Sequence, residues 1–527
     1  MKIKNHDLIR TNLNDILYFT ILIIAGFKIT FRIENVLDIL FNDESLYLEK
    51  GINLGLKRES DGILYYCWYK FLSLLTSNNI DLYYLNCSLL MIIPSLLLFL
   101  FLRSIKINPL IAFLCSVTLM ISYINVYLYP FITKFSLSIL LTAFIILNKS
   151  NSFGYKLVIS VFISFVLSYI RPEYILSFYL FGLTLIIFII YNIKKFDLKK
   201  LFILSLPVII LSLIIFRFNP SNGPRSFIAF AQHYIRDINE RNGINNDDIS
   251  EKLIVELFDQ NNSVIKVALN QPALFFEHII YNIKRLPVHI SDMFPYFIPK
   301  GKDFFIDNVI YFLTLIFIFC AIIVYFVFQK EKKSNMDFLI LSFFIFPTFI
   351  SILLFYPRSH YMIIMETMII IFLCKIISKF LEEKKYLFID SVKTVVIIGI
   401  LSVVLIPNRF LNNSMHESGC TNLKIIKSLN IIADKQKVNL LTVAAGISPF
   451  LNENITYISA KFYNLPYKEF IKKYDINMVL VNESLLNHKN ILNNNEFDLF
   501  RNDTTFVVKR LNNCDEQLII SKRLLNK

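Results

Sequence analysis

The polar segment Asn42–Gly51 (NDESLYLEKG) follows the first long apolar run of the chain and organises the rest of the sequence around it. Two adjacent carboxylates, Asp43 and Glu44, precede the apolar positions Leu46–Leu48. An amide or acid at the start of such a pattern is typical of a helix start, so the segment predicts a short helix capped by Asn42 or Asp43. Helix capping alone would account for both acids, and that interpretation stays open beside a chemical role.

The rest of the chain is strongly apolar. Hydrophobic residues make up 55% of its 527 residues, and apolar runs of about 18–22 residues recur along most of its length. A soluble fold cannot cover that much apolar surface, so the sequence predicts an α-helical polytopic membrane protein. The predicted spans, about eleven by the length criterion, are 15–33, 82–102, 107–125, 127–147, 156–170, 174–193, 200–217, 306–328, 338–355, 360–378 and 387–406.

The net charge of +14 is concentrated in Lys and Arg clusters between apolar runs. With a cytoplasmic N-terminus all of these clusters fall on the inner side, as the positive-inside rule requires, so the charge indicates topology rather than nucleic-acid binding. The first run lacks a small-x-small cleavage site and is expected to remain as a span. The sequence therefore predicts a multi-pass protein of the inner or plasma membrane with an extracytoplasmic C-terminus.

The predicted domains are a transmembrane domain over 1–406, with outer loops 34–81 and 218–305, and a small extracytoplasmic α/β module over 407–527. In the second loop, amphipathic patterns predict helices around 226–240 and 250–290. In the module, the patterns predict helices over 422–434 and 466–474 and strands over 439–445, 455–459, 478–481 and 505–509. Cys420 and Cys514 bracket the module, and a disulfide or two unrelated thiols both stay open.

Three short motifs fall in order on the predicted outer side: Asn42–Tyr47, Tyr356–Tyr361 and Tyr474–Val481. They resemble, respectively, the Asp-Glu loop, the late Arg-Tyr loop and a C-terminal motif of the GT-C superfamily of integral membrane glycosyltransferases. Within that superfamily, the organisation of the sequence is most similar to that of protein O-mannosyltransferases and of aminoarabinose or polyprenyl-phosphate-sugar transferases. One departure is that two residues, Ser359 and His360, separate the arginine of the second motif from its last tyrosine.

The resemblance implies transfer of a sugar from a polyprenyl-phosphate donor to an acceptor glycan, lipid or protein on the extracytoplasmic face. An inverting transfer needs a carboxylate that removes the acceptor proton. Asp43 is the candidate base. Glu44 is the second candidate, which would orient the acceptor, bind a divalent cation such as Mg²⁺ or Mn²⁺, or simply face water, and Asp38 is a fallback acid. The implied partners are the lipid-linked sugar, the acceptor and membrane lipids, with no nucleic acid.

A leaving lipid phosphate also needs fixed positive charge near the outer surface. Arg171 and Arg358 fall there, and Lys134 lies within an apolar run where a cation is costly. Snorkelling to the interface is the alternative for each arginine. The predicted lipid-phosphate-binding set is Lys134, Arg171, Glu173, Arg358, His360 and Tyr361. The outer histidines show no metal-ligand spacing, so none is assigned a metal.

Three other classes of function remain as alternatives. A transporter of lipid-linked sugars would more often show inverted repeats, and none is visible in the sequence. A polysaccharide polymerase or ligase would carry its essential groups in a late loop, and a non-catalytic scaffold would tolerate loss of Asp43. The sequence leaves open the donor sugar, the acceptor, the polyprenyl length, metal dependence and the oligomeric state.

Overall fold

The computed structural model describes residues 2–41, 43–54, 62–150, 152–193, 198–218, 225–242, 263–290, 332–383, 392–406, 421–434, 436–444, 446–459, 467–481, 503–510 and 517–525, with the single positions 254, 257, 258, 293, 295 and 485. The chain divides into two compact units. The helical unit comprises Met1–Lys28, Lys57–Tyr65 and Leu89–Ile406, and the mixed unit comprises Ile29–Leu56, Tyr66–Ser88 and Pro407–Lys527. The assignment of 1–406 as one functional domain stays a prediction.

Helices make up most of the described chain. Their bounds are α1 Lys2–Thr30, α2 Asp43–Ile52, α3 Ile63–Leu72, α4 Asn79–Ser104, α5 Pro109–Ile121, α6 Tyr123–Tyr127, α7 Ile132–Lys149, α8 Phe153–Ser168, α9 Ile175–Asn192, α10 Leu198–Arg217, α11 Arg225–Arg241, α12 Val264–Asn270, α13 Pro272–Ile290, α14 Lys332–Leu354, α15 Met362–Glu383, α16 Val392–Leu405, α17 Asn422–Ala433, α18 Tyr467–Tyr474 and α19 Lys522–Leu525. Short 3₁₀ turns form at Ile33–Asn35, Pro172–Tyr174, Ser359–Tyr361 and Ser448–Phe450.

Four helical segments within the described ranges are long and apolar enough to cross a membrane. They are Leu13–Asn35, Asn79–Ser104, Ile132–Lys149 and Pro172–Asn192. The shorter apolar helices are Pro109–Ile121, Phe153–Ser168, Ile203–Arg217, Leu339–Leu354 and Val396–Leu405. These helices support a multi-pass membrane protein. The expected number of about eleven spans is not established, because several apolar helices fall below spanning length and the predicted span 306–328 lies outside the described residues.

The segment 218–305, predicted as an outer loop, contains the helices that its amphipathic pattern predicts. α11, α12 and α13 occupy most of its described part. Their apolar faces meet in a buried cluster that includes Phe227, Phe230, Tyr234, Phe258 and Val267. Burial of that cluster, rather than intrinsic helix propensity, holds three short helices in place.

The mixed unit contains a five-stranded sheet in the order β2-β1-β3-β5-β4. Strands β1 (Val438–Thr442), β2 (Ile455–Ser459) and β3 (Met478–Val481) are parallel, and β4 (Phe506–Arg510) and β5 (Gln517–Ser521) are antiparallel additions. Every residue of β3 is buried, as expected of a central strand covered on both faces. The predicted strands and the helices α17 and α18 are confirmed, and β5 was not predicted.

The third motif, Tyr474–Val481, is a helix-to-strand turn. Tyr474 ends α18, Asp475 adopts a left-handed φ of 46°, and β3 begins at Met478. Aspartate tolerates that conformation better than most residues because its short side chain hydrogen-bonds locally. The described residues therefore account for the motif by local geometry. The two cysteines that bracket the module, Cys420 and Cys514, lie outside the described residues.

Candidate functional site

A buried hydrogen-bond network surrounds Glu44 in the mixed unit. Glu44 is completely buried on α2. Its Oε1 atom accepts hydrogen bonds from the Tyr69 hydroxyl at 2.5 Å and from the Asn86 amide at 3.1 Å. The Asn86 amide also donates to the Tyr69 oxygen at 2.8 Å, and Trp68 donates through Nε1 to Asn86 Oδ1 at 2.8 Å. The network joins α2, α3 and α4, so Glu44 serves as a structural acceptor.

Asp43 differs from its neighbour. It begins α2, as the sequence predicts, and its side chain is half-buried. Within the described part of the chain no hydrogen bond or ion pair engages its carboxylate, whereas Glu44 Oε1 accepts two hydrogen bonds. Asn42, the other predicted cap, lies outside the described residues. The two adjacent acids therefore differ in their surroundings, and the assignment of Asp43 as the base stays a prediction.

The C-terminal module contacts the segment that leads to Asp43. The Asp38 carboxylate accepts hydrogen bonds from the backbone N–H groups of Asn422 at 2.7 Å and Leu423 at 3.0 Å. These N–H groups lie in the first turn of α17 and have no acceptor within the helix. Gly446 approaches so closely that an added Cβ would lie 2.8 Å from the backbone of Phe41. Asp38, the fallback acid, therefore has a structural role as a hydrogen-bond acceptor at the start of α17.

Further along, the same module contacts α2 itself. The Ser448 hydroxyl donates to Glu49 Oε1 at 2.7 Å, and the Asn79 amide donates to the Pro449 carbonyl at 2.6 Å. The phenol of Tyr83 meets the ring of Phe450 edge-on at 5.8 Å. The 3₁₀ turn 448–450 thus contacts α2 through Ser448 and α4 through Pro449 and Phe450, all within the mixed unit.

In the helical unit, Arg171 forms a buried ion pair. Its Nε lies 2.5 Å from Glu173 Oε1, Nη1 donates to Thr133 Oγ1 at 2.6 Å, and the guanidinium carbon lies 4.3 Å from the Tyr361 ring centroid. Burial by itself lowers the pKa of Arg171, but the neighbouring Glu173 and Tyr361 raise it, and the net result is a pKa above the usual value. Three predicted site residues thus come together, and they largely satisfy one another.

Lys134 is also engaged within the fold. It is 1% exposed on α7, its Nζ donates to the Asn125 carbonyl, and it lies 4.7 Å from the Phe131 ring centroid. His360 is buried in the 3₁₀ turn before α15, where its ring packs edge-on against Tyr361 at 4.3 Å. Both residues therefore have structural roles in the described contacts, and their assignment to a lipid phosphate stays a prediction.

Arg358 has a different environment. Its Nη2 donates to His233 Nε2 at 2.9 Å, and no carboxylate pairs with it in the described ranges. The His233 ring stacks on Tyr356 at 5.0 Å, and the Arg285 guanidinium lies 4.8 Å from the centroid of the same tyrosine. Burial, then the charge of Arg358, lowers the pKa of His233 to about 3, so its imidazole is neutral and accepts from the arginine.

A buried network supports this basic cluster of Arg358, His233, Tyr356 and Arg285. Asp237 Oδ2 lies 2.8 Å from His278 Nδ1, and Asp237 Oδ1 accepts from Arg285 at 3.0 Å. The other His278 nitrogen contacts the Phe355 carbonyl at 2.9 Å. Because Asp237 lies on α11, His278 on α13 and Phe355 just after α14, the network holds the loop that carries Arg358.

Several participants in these sites escaped the sequence analysis. Tyr69, Asn86, His233 and Arg285 carry no local motif, and only Tyr356 lies within a quoted segment. Across the described residues, no three His, Cys, Asp or Glu side chains converge as a metal site would require. A divalent ion at Asp43 would thus need ligands from the substrate, water or residues outside those ranges.

Comparison with known proteins adds a distant structural likeness. No protein family model and no curated protein sequence matches the chain. Among solved structures, it is similar to the archaeal oligosaccharyltransferase AglB from Archaeoglobus fulgidus, solved with an inhibitory peptide and a dolichol-phosphate, at 13% identity and a TM-score of 0.43. The match covers 88% of this chain and 69% of the other. At that identity and TM-score, the likeness assigns no activity.

Proposed function

We propose that this chain is a membrane glycosyltransferase that moves a sugar from a polyprenyl-phosphate donor to an acceptor glycan, lipid or protein at the extracytoplasmic face. The observation that carries the proposal is the contrast between two adjacent acids. Glu44 is buried and accepts hydrogen bonds from Tyr69 and Asn86, whereas Asp43 is half-buried without a described partner. The C-terminal module also contacts α2, where the Ser448 hydroxyl donates to Glu49.

In the proposed step, the acceptor oxygen or nitrogen forms a bond to the anomeric carbon while the bond from that carbon to the phosphate oxygen breaks. Asp43 takes the proton of the acceptor, and the electron pair of the broken bond leaves on the phosphate. A positioned general base contributes about 10²–10⁴-fold in rate. Glu44 would act indirectly, by fixing the turn of α2 that presents Asp43.

The donor phosphate is assigned to Arg358 in preference to Arg171. Arg171 already pairs with Glu173, so much of its charge is neutralised within the fold. Arg358 instead donates to a neutral imidazole, which orients the guanidinium without cancelling its charge. An oriented, uncancelled cation is the type of group that stabilises charge developing on a leaving phosphate.

The test is sugar transfer in membranes that contain equal amounts of each variant and a radiolabelled polyprenyl-phosphate-sugar pool. Asp43→Asn should lower transfer by at least about 100-fold, while the exposed Asp434→Asn in the same unit serves as the matched control. Arg358→Gln should lower transfer by about 10²–10³-fold, with the exposed Arg510→Gln as its control. Transfer at the wild-type rate by Asp43→Asn would exclude the assignment of the base, and absence of transfer by the wild type would favour the polymerase or transporter function.

A further inference from the structure

A polar cavity lies in the mixed unit, apart from the Glu44 network. Its volume is about 530 Å³, within the range of small-molecule sites. The charged lining consists of Glu34, Asp81 and Lys427. Asn78 and Ser88 add polar groups, and neither Asp43 nor Glu44 contributes to the wall. The cavity is therefore a separate candidate binding site.

The three charged side chains do not neutralise one another. Glu34 is half-buried, and Asp81 and Lys427 are exposed. Among the described residues no hydrogen bond or ion pair occupies any of these three charged groups. Since an ion pair would form if the groups lay within about 4 Å, the two acids and the lysine stand apart on the wall. A ligand that carries a cation and an anion can contact both types of group at once.

The apolar part of the wall completes the site. Ile33, Ile80 and Leu85 line the cavity beside the charged groups. The phenol of Tyr84 also faces it, but its hydroxyl is already engaged with the Leu37 carbonyl at 2.9 Å. The wall thus offers apolar contact to a short carbon chain and separate contacts to opposite charges.

The position of the cavity suggests where such a ligand comes from. Thr30 to Glu34 belong to the end of the apolar segment Leu13–Asn35, and Ile80 to Ser88 belong to the start of Asn79–Ser104. Both segments are long and apolar enough to span a bilayer. The ends of spanning helices lie at the headgroup layer, where ammonium and phosphate groups are abundant.

We infer that this cavity binds a zwitterionic aminoalkyl phosphate, with the ammonium group at Glu34 and Asp81 and the phosphate at Lys427. The inference goes beyond the proposed function, because it assigns a ligand to residues that take no part in transfer. A simple anion fits poorly, since two acids outnumber one lysine in the lining. The ligand is either the headgroup of a phosphoethanolamine lipid or a soluble phosphoethanolamine compound.

Binding of defined probes to the purified full-length protein tests the inference without any sugar donor. The protein is delipidated in mild detergent and titrated with short-chain phosphoethanolamine lipid, phosphoglycerol lipid and free phosphoethanolamine. The variants are Glu34→Gln, Asp81→Asn and Lys427→Gln. The exposed Glu453→Gln and Lys437→Gln, both in the mixed unit and outside the cavity, are the matched controls.

Each acid variant should raise the dissociation constant for the phosphoethanolamine lipid about threefold, and the double variant about tenfold, as expected for partly exposed charge pairs. Lys427→Gln should weaken the phosphoethanolamine and phosphoglycerol lipids to the same extent, because both carry the phosphate. Both control variants should bind like the wild type. Tighter binding of the lipid than of free phosphoethanolamine identifies the bilayer as the source, and equal binding identifies a soluble ligand.

Two outcomes overturn the inference. The first is an unchanged dissociation constant in the double acid variant whose folded state is intact by Trp68 fluorescence. The second is equal affinity of the wild type for phosphoethanolamine and phosphoglycerol lipids, since only the former has the ammonium group. Because transfer activity is not measured, failure of this inference is distinct from failure of the proposed function.

Discussion

Removal of Glu44 should destabilise the mixed unit, whereas removal of Asp43 should not. Glu44 is completely buried and accepts hydrogen bonds from Tyr69 at 2.5 Å and Asn86 at 3.1 Å. Removal of this acceptor leaves two donors unpaired in the interior, at a cost of about 1–3 kcal/mol each. We therefore expect Glu44→Ala to lower the free energy of unfolding by about 3–4 kcal/mol. Asp43→Ala should change it by less than about 1 kcal/mol.

The chain supplies its own probe for this measurement. Trp68 is its single tryptophan, and its indole N–H donates to Asn86 within the network. Equilibrium unfolding of the purified protein in mild detergent, followed by tryptophan fluorescence, therefore reports on the region around Glu44. A double-mutant cycle of Glu44→Gln with Tyr69→Phe should show a coupling energy of about 1 kcal/mol or more.

The matched control is Glu453→Ala, an exposed glutamate of the same unit, which should change the free energy of unfolding by less than about 0.5 kcal/mol. The reasoning is refuted if Glu44→Ala unfolds at the denaturant concentration of the wild type and also abolishes sugar transfer. That result would make the buried carboxylate a chemical group rather than a structural acceptor, and Asp43 the mere helix start.

Three further predictions concern the contacts that position the two sites. Gly446→Ala should lower the free energy of unfolding by about 2–3 kcal/mol, because the added Cβ would lie 2.8 Å from the Phe41 backbone. Thermal unfolding measures this change, and unchanged stability would contradict the close approach. Asp38→Asn should increase hydrogen exchange in the first turn of α17, where the carboxylate accepts from the Asn422 and Leu423 N–H groups. His233, with a pKa of about 3 in the fold against an ordinary 6.5, stays neutral while the unfolded chain binds a proton. Its contribution to stability is present above pH 6.5 and is lost as the pH falls toward 3, so relative to His233→Gln the wild type should lose about 2 kcal/mol between pH 6.5 and 4.5 in denaturant titrations.

The contacts around α2 suggest a role for the C-terminal module in the mixed unit. Residues of that module contact the chain on both sides of Asp43. Asn422, at the start of α17, donates to Asp38 before it, and Ser448 donates to Glu49 after it. A carboxylate on an isolated surface helix would shift with every fluctuation of its loop. Contacts from the first turn of α17 and from the 3₁₀ turn 448–450 restrict that motion, as the proposed role of Asp43 requires.

The fold was largely predictable because its signals are local. Hydrophobicity summed over a run of residues indicates a membrane helix without knowledge of its neighbours. The short strands of the module likewise stand out by apolar runs between turns. β5 was missed because Gln517–Ser521 is a brief apolar run near the chain end, and its role as the strand between β3 and β4 depends on antiparallel partners rather than on its own pattern.

For the site, the sequence by itself determined that two acids begin a short helix after the first apolar segment and that arginines stand before later ones. Only the tertiary structure decided which of them are available. Successive residues on a helix point about 100° apart, so the packing of α3 and α4 buries Glu44 and leaves Asp43 half-exposed. In the same way, Glu173 pairs with Arg171, while α11 brings a neutral histidine to Arg358. Glu173 is only two residues from Arg171, but the burial of Glu44 and the histidine beside Arg358 depend on side chains distant in sequence, and no local pattern records them.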